Sequence, residues 1–264
     1  MKPKRPVRAL ILTSIRDVGA CDLNGRWVPT KAGRRYMEGL IERAVSECKR
    51  GGQLVGLLEI AGVITDDFPA NLEGSGYPIA PTPGMHWIHP LDLTDRCGER
   101  VCELAIHIPS SFRLVPAHDQ ACRREAKRHF EKLVLEHMRE VGADIIISDH
   151  YMARIEYLIG EFGLYGKVVN IHPAVTDQRH ECCFRGKTPT MDAISRARTG
   201  VPTVTGATLH LVNEEFDAGP IIESVWPTPV YADDSPEELR QRNYQMAKLP
   251  VFASGMRRYL TEVL

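Results

Sequence analysis

Apolar positions recur along the chain in two rhythms, one of period two and one near 3.6, and the two take turns. Val7 to Thr13 is a short β-type run. After a polar stretch, Met37, Leu40, Ile41, Ala44, Val45 and Cys48 repeat at helical spacing until Gly51-Gly52 stops them, and Gln53 to Ile60 predicts a second strand. Ala126, Phe130, Leu133, Val134 and Met138 give another helical stripe, closed by Gly142, and Asp144 to Ser148 reads as a buried strand. A short apolar helix is predicted around Ile155 to Phe162, a strand at Lys167 to Ile171, and a helix from about Pro189 to Thr199 between the cap residue Thr188 and Gly200. Strands follow at Thr205 to Val212 and Ile221 to Pro227. Ser235-Pro-Glu-Glu238 is a capping box that opens a C-terminal helix, interrupted at Pro250.

Strands alternating with helices predict an α/β fold: a mainly parallel, twisted, Rossmann-like sheet with helices on both faces, read as a single domain over 1–264. One stretch breaks the rhythm. From Gly62 to Pro116, after the second strand, the chain is irregular and rich in proline, with His86, Trp87 and His89 among the prolines. A loop of that length in a compact domain is functional or disordered, and its aromatic and histidine content points to an ordered lid or substrate wall.

Composition narrows the partners. The 33 Lys and Arg residues balance 34 Asp and Glu, so no broad field favours nucleic acid or an anionic membrane, and a small molecule is the default ligand. No signal-peptide pattern opens the chain and no run is long enough to cross a bilayer. Seven scattered cysteines suit reduced thiols in the cytoplasm better than a disulfide framework. His180 with Cys182 and Cys183 brings zinc to mind, but adjacent cysteines chelate poorly and no second pair stands at a suitable spacing, so no metal is expected.

Ligands of doubly wound sheets sit outside the carboxyl ends of the strands. Val168-Val-Asn170-Ile-His172-Pro173 ends a buried run there, with Asn170 and His172 on one face. Alone, Asn-x-His is usually an ordinary strand end, and Asp217 in Asp-x-Gly-Pro220 an ordinary turn former. Together and in this order, the two segments resemble the glycinamide-ribonucleotide-formyltransferase-like family, whose members use 10-formyltetrahydrofolate. The resemblance covers roughly Phe130 to Leu264 at the level of motifs and the first half only as architecture. It implies Asn170, His172 and Asp217 as the catalytic set. It implies a folate pocket at Tyr151, Met152, Arg154 and Ile155, where His150-Tyr-Met-Ala-Arg-Ile155 matches the family's Gly-Phe-Met-Arg-Ile with one residue inserted. Val212, Asn213 and Phe216 fall on the family's acidic pterin-side loop.

The chemistry suits those residue types. When an amine attacks a formyl carbonyl, negative charge grows on its oxygen; an amide donor and an imidazole can meet it, and a carboxylate can orient the imidazole. The chain departs from the family pattern after His172-Pro173, where Ala174 to Gly186 replaces the usual Ser-Leu-Leu-Pro text. The glycine-rich phosphate loop of the ribonucleotide enzymes is replaced by Thr13 to Pro29. Neither the C-terminal domain of the tRNA enzyme nor the regulatory domain that precedes the deformylase is expected. Within the family the chain is similar to siderophore-pathway enzymes that formylate the side-chain hydroxylamine of N-hydroxyornithine. Glycinamide ribonucleotide formylation, hydrolysis of the formyl folate and folate binding without catalysis are the alternatives.

Overall fold

The computed structural model describes residues 5–14, 29–30, 33–34, 40–66, 104–149, 151, 153–186 and 188–264. In chain order the strands are β1 (Val7–Thr13), β2 (Pro29–Thr30), β3 (Gly33–Arg34), β4 (Leu58–Thr65), β5 (Ala105–His107), β6 (Ile145–Asp149), β7 (Val168–His172), β8 (Thr203–Leu211) and β9 (Ile221–Val230). The helices are α1 (Leu40–Cys48), α2 (Gln120–Glu140), α3 (Pro189–Arg198), α4 (Pro236–Asn243) and α5 (Leu249–Arg258).

The alternation in β1 sets the layers. Val7, Ala9 and Ile11 join one buried cluster with α1 and α5, while Leu10 and Leu12 join another with Phe130, Val134 and Met138 of α2, because successive side chains point to opposite faces. Seven strands form one sheet in the order β5-β4-β1-β6-β7-β8-β9, with β2 and β3 as a separate ribbon. Pairing is parallel from β5 through β7 and antiparallel from β7 to β9. The carboxyl ends of β1, β4, β6 and β7 therefore share one edge, and ligand chemistry belongs there. Among the described residues no helix is long and apolar enough to cross a membrane.

Three expectations shift. The second strand runs from Leu58 to Thr65 rather than from Gln53 to Ile60, because Gly51 and Gly56 take positive φ of 93° and 72° and hold 51–57 in turns. There Gln53 and Leu54 donate their amides to Glu47. The segment Ile155 to Phe162 is a series of turns and not a helix. The buried Glu131 carboxylate of α2 accepts the backbone N–H groups of Glu156 (3.1 Å) and Leu158 (2.8 Å), satisfying donors that a helix would otherwise bond internally. The irregular 62–116 stretch is shorter than expected: β4 extends to Thr65, and β5 and a 3₁₀ turn at Ser111–Arg113 occupy its far end. Its middle, with His86, Trp87 and His89, lies outside the described residues, as do Arg16 and Met152.

The C-terminal helix opens with the Ser235–Glu238 capping box and breaks at a π-helical turn, Tyr244–Lys248, just before Pro250. Proline has no N–H to continue the ladder, and a widened turn absorbs the mismatch. Through it the buried Lys248 reaches Asp149 at the end of β6, Nζ to Oδ1 2.5 Å.

Candidate active site

Register builds the site. Asn170 of β7 lies beside Ser148 of β6 and opposite His210 of β8, and His172 lies opposite Thr208, so these polar side chains sit side by side at the carboxyl edge. Asp217 reaches them from the corner between β8 and β9. That corner is tight: Leu211 N–H bonds the Pro220 carbonyl at 2.9 Å. A Cβ on Gly219 would fall 1.8 Å from the Leu211 carbonyl oxygen, so only glycine passes there. Asp217 itself holds a left-handed φ of 50°, a conformation Asp tolerates better than most residues. Backbone strain of this kind gathers at functional sites.

Three side chains converge on one oxygen of Asp217. Its Oδ1 lies 3.3 Å from His172 Nδ1, 3.4 Å from Asn170 Nδ2 and 3.6 Å from His210 Nε2, and its Oδ2 accepts the Gly186 N–H at 3.0 Å. His172 Nε2 donates to the Phe184 carbonyl at 2.9 Å, so Nδ1 faces Asp217 and points a second proton at it whenever the ring is charged. His210 Nδ1 donates to the Leu211 carbonyl at 2.9 Å, which leaves its Nε2 to accept from Asn170 Nδ2 at 3.1 Å. Burial pushes the Asp217 carboxyl up, but the neighbouring imidazoles of His172 and His210 and the Gly186 amide overcome it and hold the group well below the usual carboxylate range.

Three cavities meet around this cluster, and Phe216, 43% exposed, lines all of them. The first, about 320 Å³, is lined by Asn170, His172 and Asp217 together with Thr188, Arg240 and Lys248. A narrower one, about 60 Å³, runs along Tyr151, Arg154, Ile155, Val212 and Asn213. The third, about 400 Å³, shares Ala153, Arg154 and Phe216 with the second.

The structure thus gathers the residues expected to be catalytic, and it lines the second cavity with every described residue expected at the folate pocket. Those residues differ in what they do there. Tyr151 stacks on Phe130 with ring centroids 5.8 Å apart, and its buried hydroxyl has no hydrogen-bond partner among the described residues. Arg154 lies 5.9 Å from the Phe216 ring and 3.5 Å from Glu156. Asn213 is turned inward, its Oδ1 accepting the Glu215 N–H within the loop at 3.1 Å. His210 escaped sequence reasoning; its signal is a histidine set between Leu209 and Leu211 near the end of a buried strand. His180 packs at a tilt against Trp226, ring centroids 5.1 Å apart, and among the described residues no group of three His, Cys, Asp or Glu side chains could hold a metal ion.

This fold is that of a formyl transferase, and the chain belongs to that family, which it matches over residues 44–251. Among solved structures it is similar to PvdF of pyoverdin biosynthesis, described as a structurally unique N10-formyltetrahydrofolate-dependent formyltransferase, at 27% identity over 95% of this chain and 98% of that one, with a TM-score of 0.76. Phosphoribosylglycinamide formyltransferase from Bacillus halodurans shares the fold at 21% identity, with a TM-score of 0.58 and 97% of each chain covered. Curated relatives are phosphoribosylglycinamide formyltransferase of Bacillus subtilis (strain 168), 33% identical over 54% of this chain and 64% of that one, and formyltetrahydrofolate deformylase of Corynebacterium sp. (strain P-1), 36% identical over 40% and 33%. The match spans between a third and about two thirds of the length of these relatives.

Proposed function

We propose that this protein is a cytoplasmic enzyme that transfers the formyl group of 10-formyltetrahydrofolate to the side-chain hydroxylamine of N-hydroxyornithine. The observation that carries the reading is the convergence of Asn170, His172 and Asp217, with Asn170 and Asp217 lining two adjoining cavities, one for each substrate, and His172 lining the first. Likeness to PvdF over nearly the whole of both chains supports it. The second cavity suits a folate: Ile155, Val212 and Phe216 offer apolar contacts to a flat ring and Arg154 a cation to an anionic end. The first offers the acceptor both apolar and cationic walls.

In this reading the acceptor nitrogen attacks the formyl carbon, and a C–N bond forms while charge builds on oxygen. Asn170 Nδ2–H and His172 Nδ1–H, which now meet at Asp217 Oδ1, are the two donors available to that oxygen. The C–N10 bond then breaks, and the proton released by the acceptor nitrogen moves to N10 through His172 or water, leaving tetrahydrofolate and the formylated acceptor. Asp217 keeps the His172 ring aimed.

Incubation with 10-formyltetrahydrofolate and N-hydroxyornithine is expected to release tetrahydrofolate and an acceptor heavier by one formyl group. Release of the same tetrahydrofolate without acceptor would replace this reading by hydrolysis, and formylation of glycinamide ribonucleotide alone would replace it by the purine reaction.

A further inference from the structure

The third cavity is walled by five cations, Arg113, Arg123, Arg124, Lys127 and Arg154, and Glu156 is the one acid among its described lining residues. Three of the five are already matched. Arg113 Nη2 lies 2.7 Å from Asp66, Lys127 Nζ lies 3.2 Å from Glu156 and 3.8 Å from the buried Glu131, and Arg154 shares Glu156. Among the described residues no carboxylate pairs with Arg123 or Arg124. Both stand near the start of α2, where the helix dipole adds to their positive charge and the acid at the cap, Asp119, is engaged by the Cys122 N–H at 3.1 Å. An arrangement that folding alone disfavours, next to a substrate cavity, calls for an anion.

Position says which anion. The cationic cavity opens from the folate-side cavity through Ala153, Arg154 and Phe216, so whatever enters it is continuous with a molecule bound there. Reduced folates end in a glutamate that cells extend by γ-linkage, each added residue bringing one carboxylate. We propose that this cavity is a binding site for the γ-glutamyl chain of the folate co-substrate, with Arg123 and Arg124 as its free cations. The inference rests on the folate reading above and extends it from the formyl-bearing end to the tail.

The test compares 10-formyltetrahydrofolate carrying one glutamate with the same compound carrying five, at fixed N-hydroxyornithine. The pentaglutamate is expected to show a KM about tenfold lower at low salt, the scale of a few partly exposed charge pairs, with kcat alike for both. The preference should shrink in about 0.5 M KCl, where the screening length falls to a few ångströms. Free penta-γ-glutamate should compete with the pentaglutamate far better than inorganic phosphate at equal ionic strength. In the double variant Arg123→Ala/Arg124→Ala the ratio of the two KM values should fall below about twofold, and Arg123→Glu/Arg124→Glu should invert it. Arg139→Ala, at the other end of α2, should keep the wild-type ratio. Equal KM values in the wild type, or a preference that survives both double variants, would overturn the tail site while leaving formyl transfer intact. Failure to turn over even the monoglutamate would instead overturn the folate reading on which it stands.

Discussion

Two aspartates at the carboxyl edge of the sheet, Asp66 and Asp217, have opposite partners. Asp66, after β4, is fully buried and held by the Ser14 hydroxyl and the Arg113 guanidinium. Asp217, beside β7, is held by two imidazoles, the Asn170 amide and a backbone N–H. A guanidinium keeps its proton at any working pH, so Asp66 is locked into a fixed pair that ties β4 to the 3₁₀ turn at Ser111–Arg113. An imidazole gains and loses protons near neutrality, so Asp217 sits where a proton can move. The first half of the sheet ties its carboxylate into the architecture, and the second half, in the proposed reaction, turns its own to chemistry.

Exchanging one atom in each carboxylate tests that contrast. Asp66→Asn strands a partly buried arginine and is expected to lower unfolding free energy by about 3 kcal/mol, read from denaturant midpoints, while turnover per folded molecule stays within about threefold. Asp217→Asn, and likewise Asn170→Ala and His172→Ala, should lower turnover at least about a hundredfold, with a smaller drop in midpoint than Asp66→Asn. A stable but inactive Asp66 variant, or an active Asp217 variant, would erase the distinction.

A finer test separates the two imidazoles. His210→Gln keeps a side-chain acceptor for Asn170 but removes the ring beside Asp217, and a loss of about tenfold in kcat with near-normal KM is expected for a positioning residue. A loss as large as that of His172→Ala would place His210 in the reaction itself.

The smallest effect lies in pH. The folded carboxyl of Asp217 titrates below its ordinary value of 3.8, so its contribution to stability is complete above that value and disappears as pH falls through the depressed one. The difference in Tm between wild type and Asp217→Asn should be flat from about pH 7 to 5 and narrow only below about pH 4. A gap that changes between pH 7 and 5 would show that another group controls it.

How far the sequence reached differs along the chain. In β1 the alternation is the structure, since each side chain follows the pleat to its own buried cluster. At Gln53 to Leu57 it misled, because Leu54 is buried by a turn against α1 and not by pairing. At Ile155 to Phe162 the apolar spacing looked helical, yet the backbone donors are taken by Glu131 from a helix some 25 residues earlier, a partner no local window contains. β5 has three residues, too few for any period.

The sequence by itself determined the layered α/β plan, the strand-end positions of Asn170 and His172, and the corner where Gly219 must be glycine, since those depend on neighbours in the chain and on backbone sterics. Only the tertiary structure decided that Asp217 meets three side chains at one oxygen, that His210 belongs with them, that Lys248 reaches Asp149, and that Arg123 and Arg124 open onto the cavity beside Phe216. Those arrangements rest on register between strands and on how helices settle against the sheet, where groups distant in sequence acquire their partners and their charges a common space.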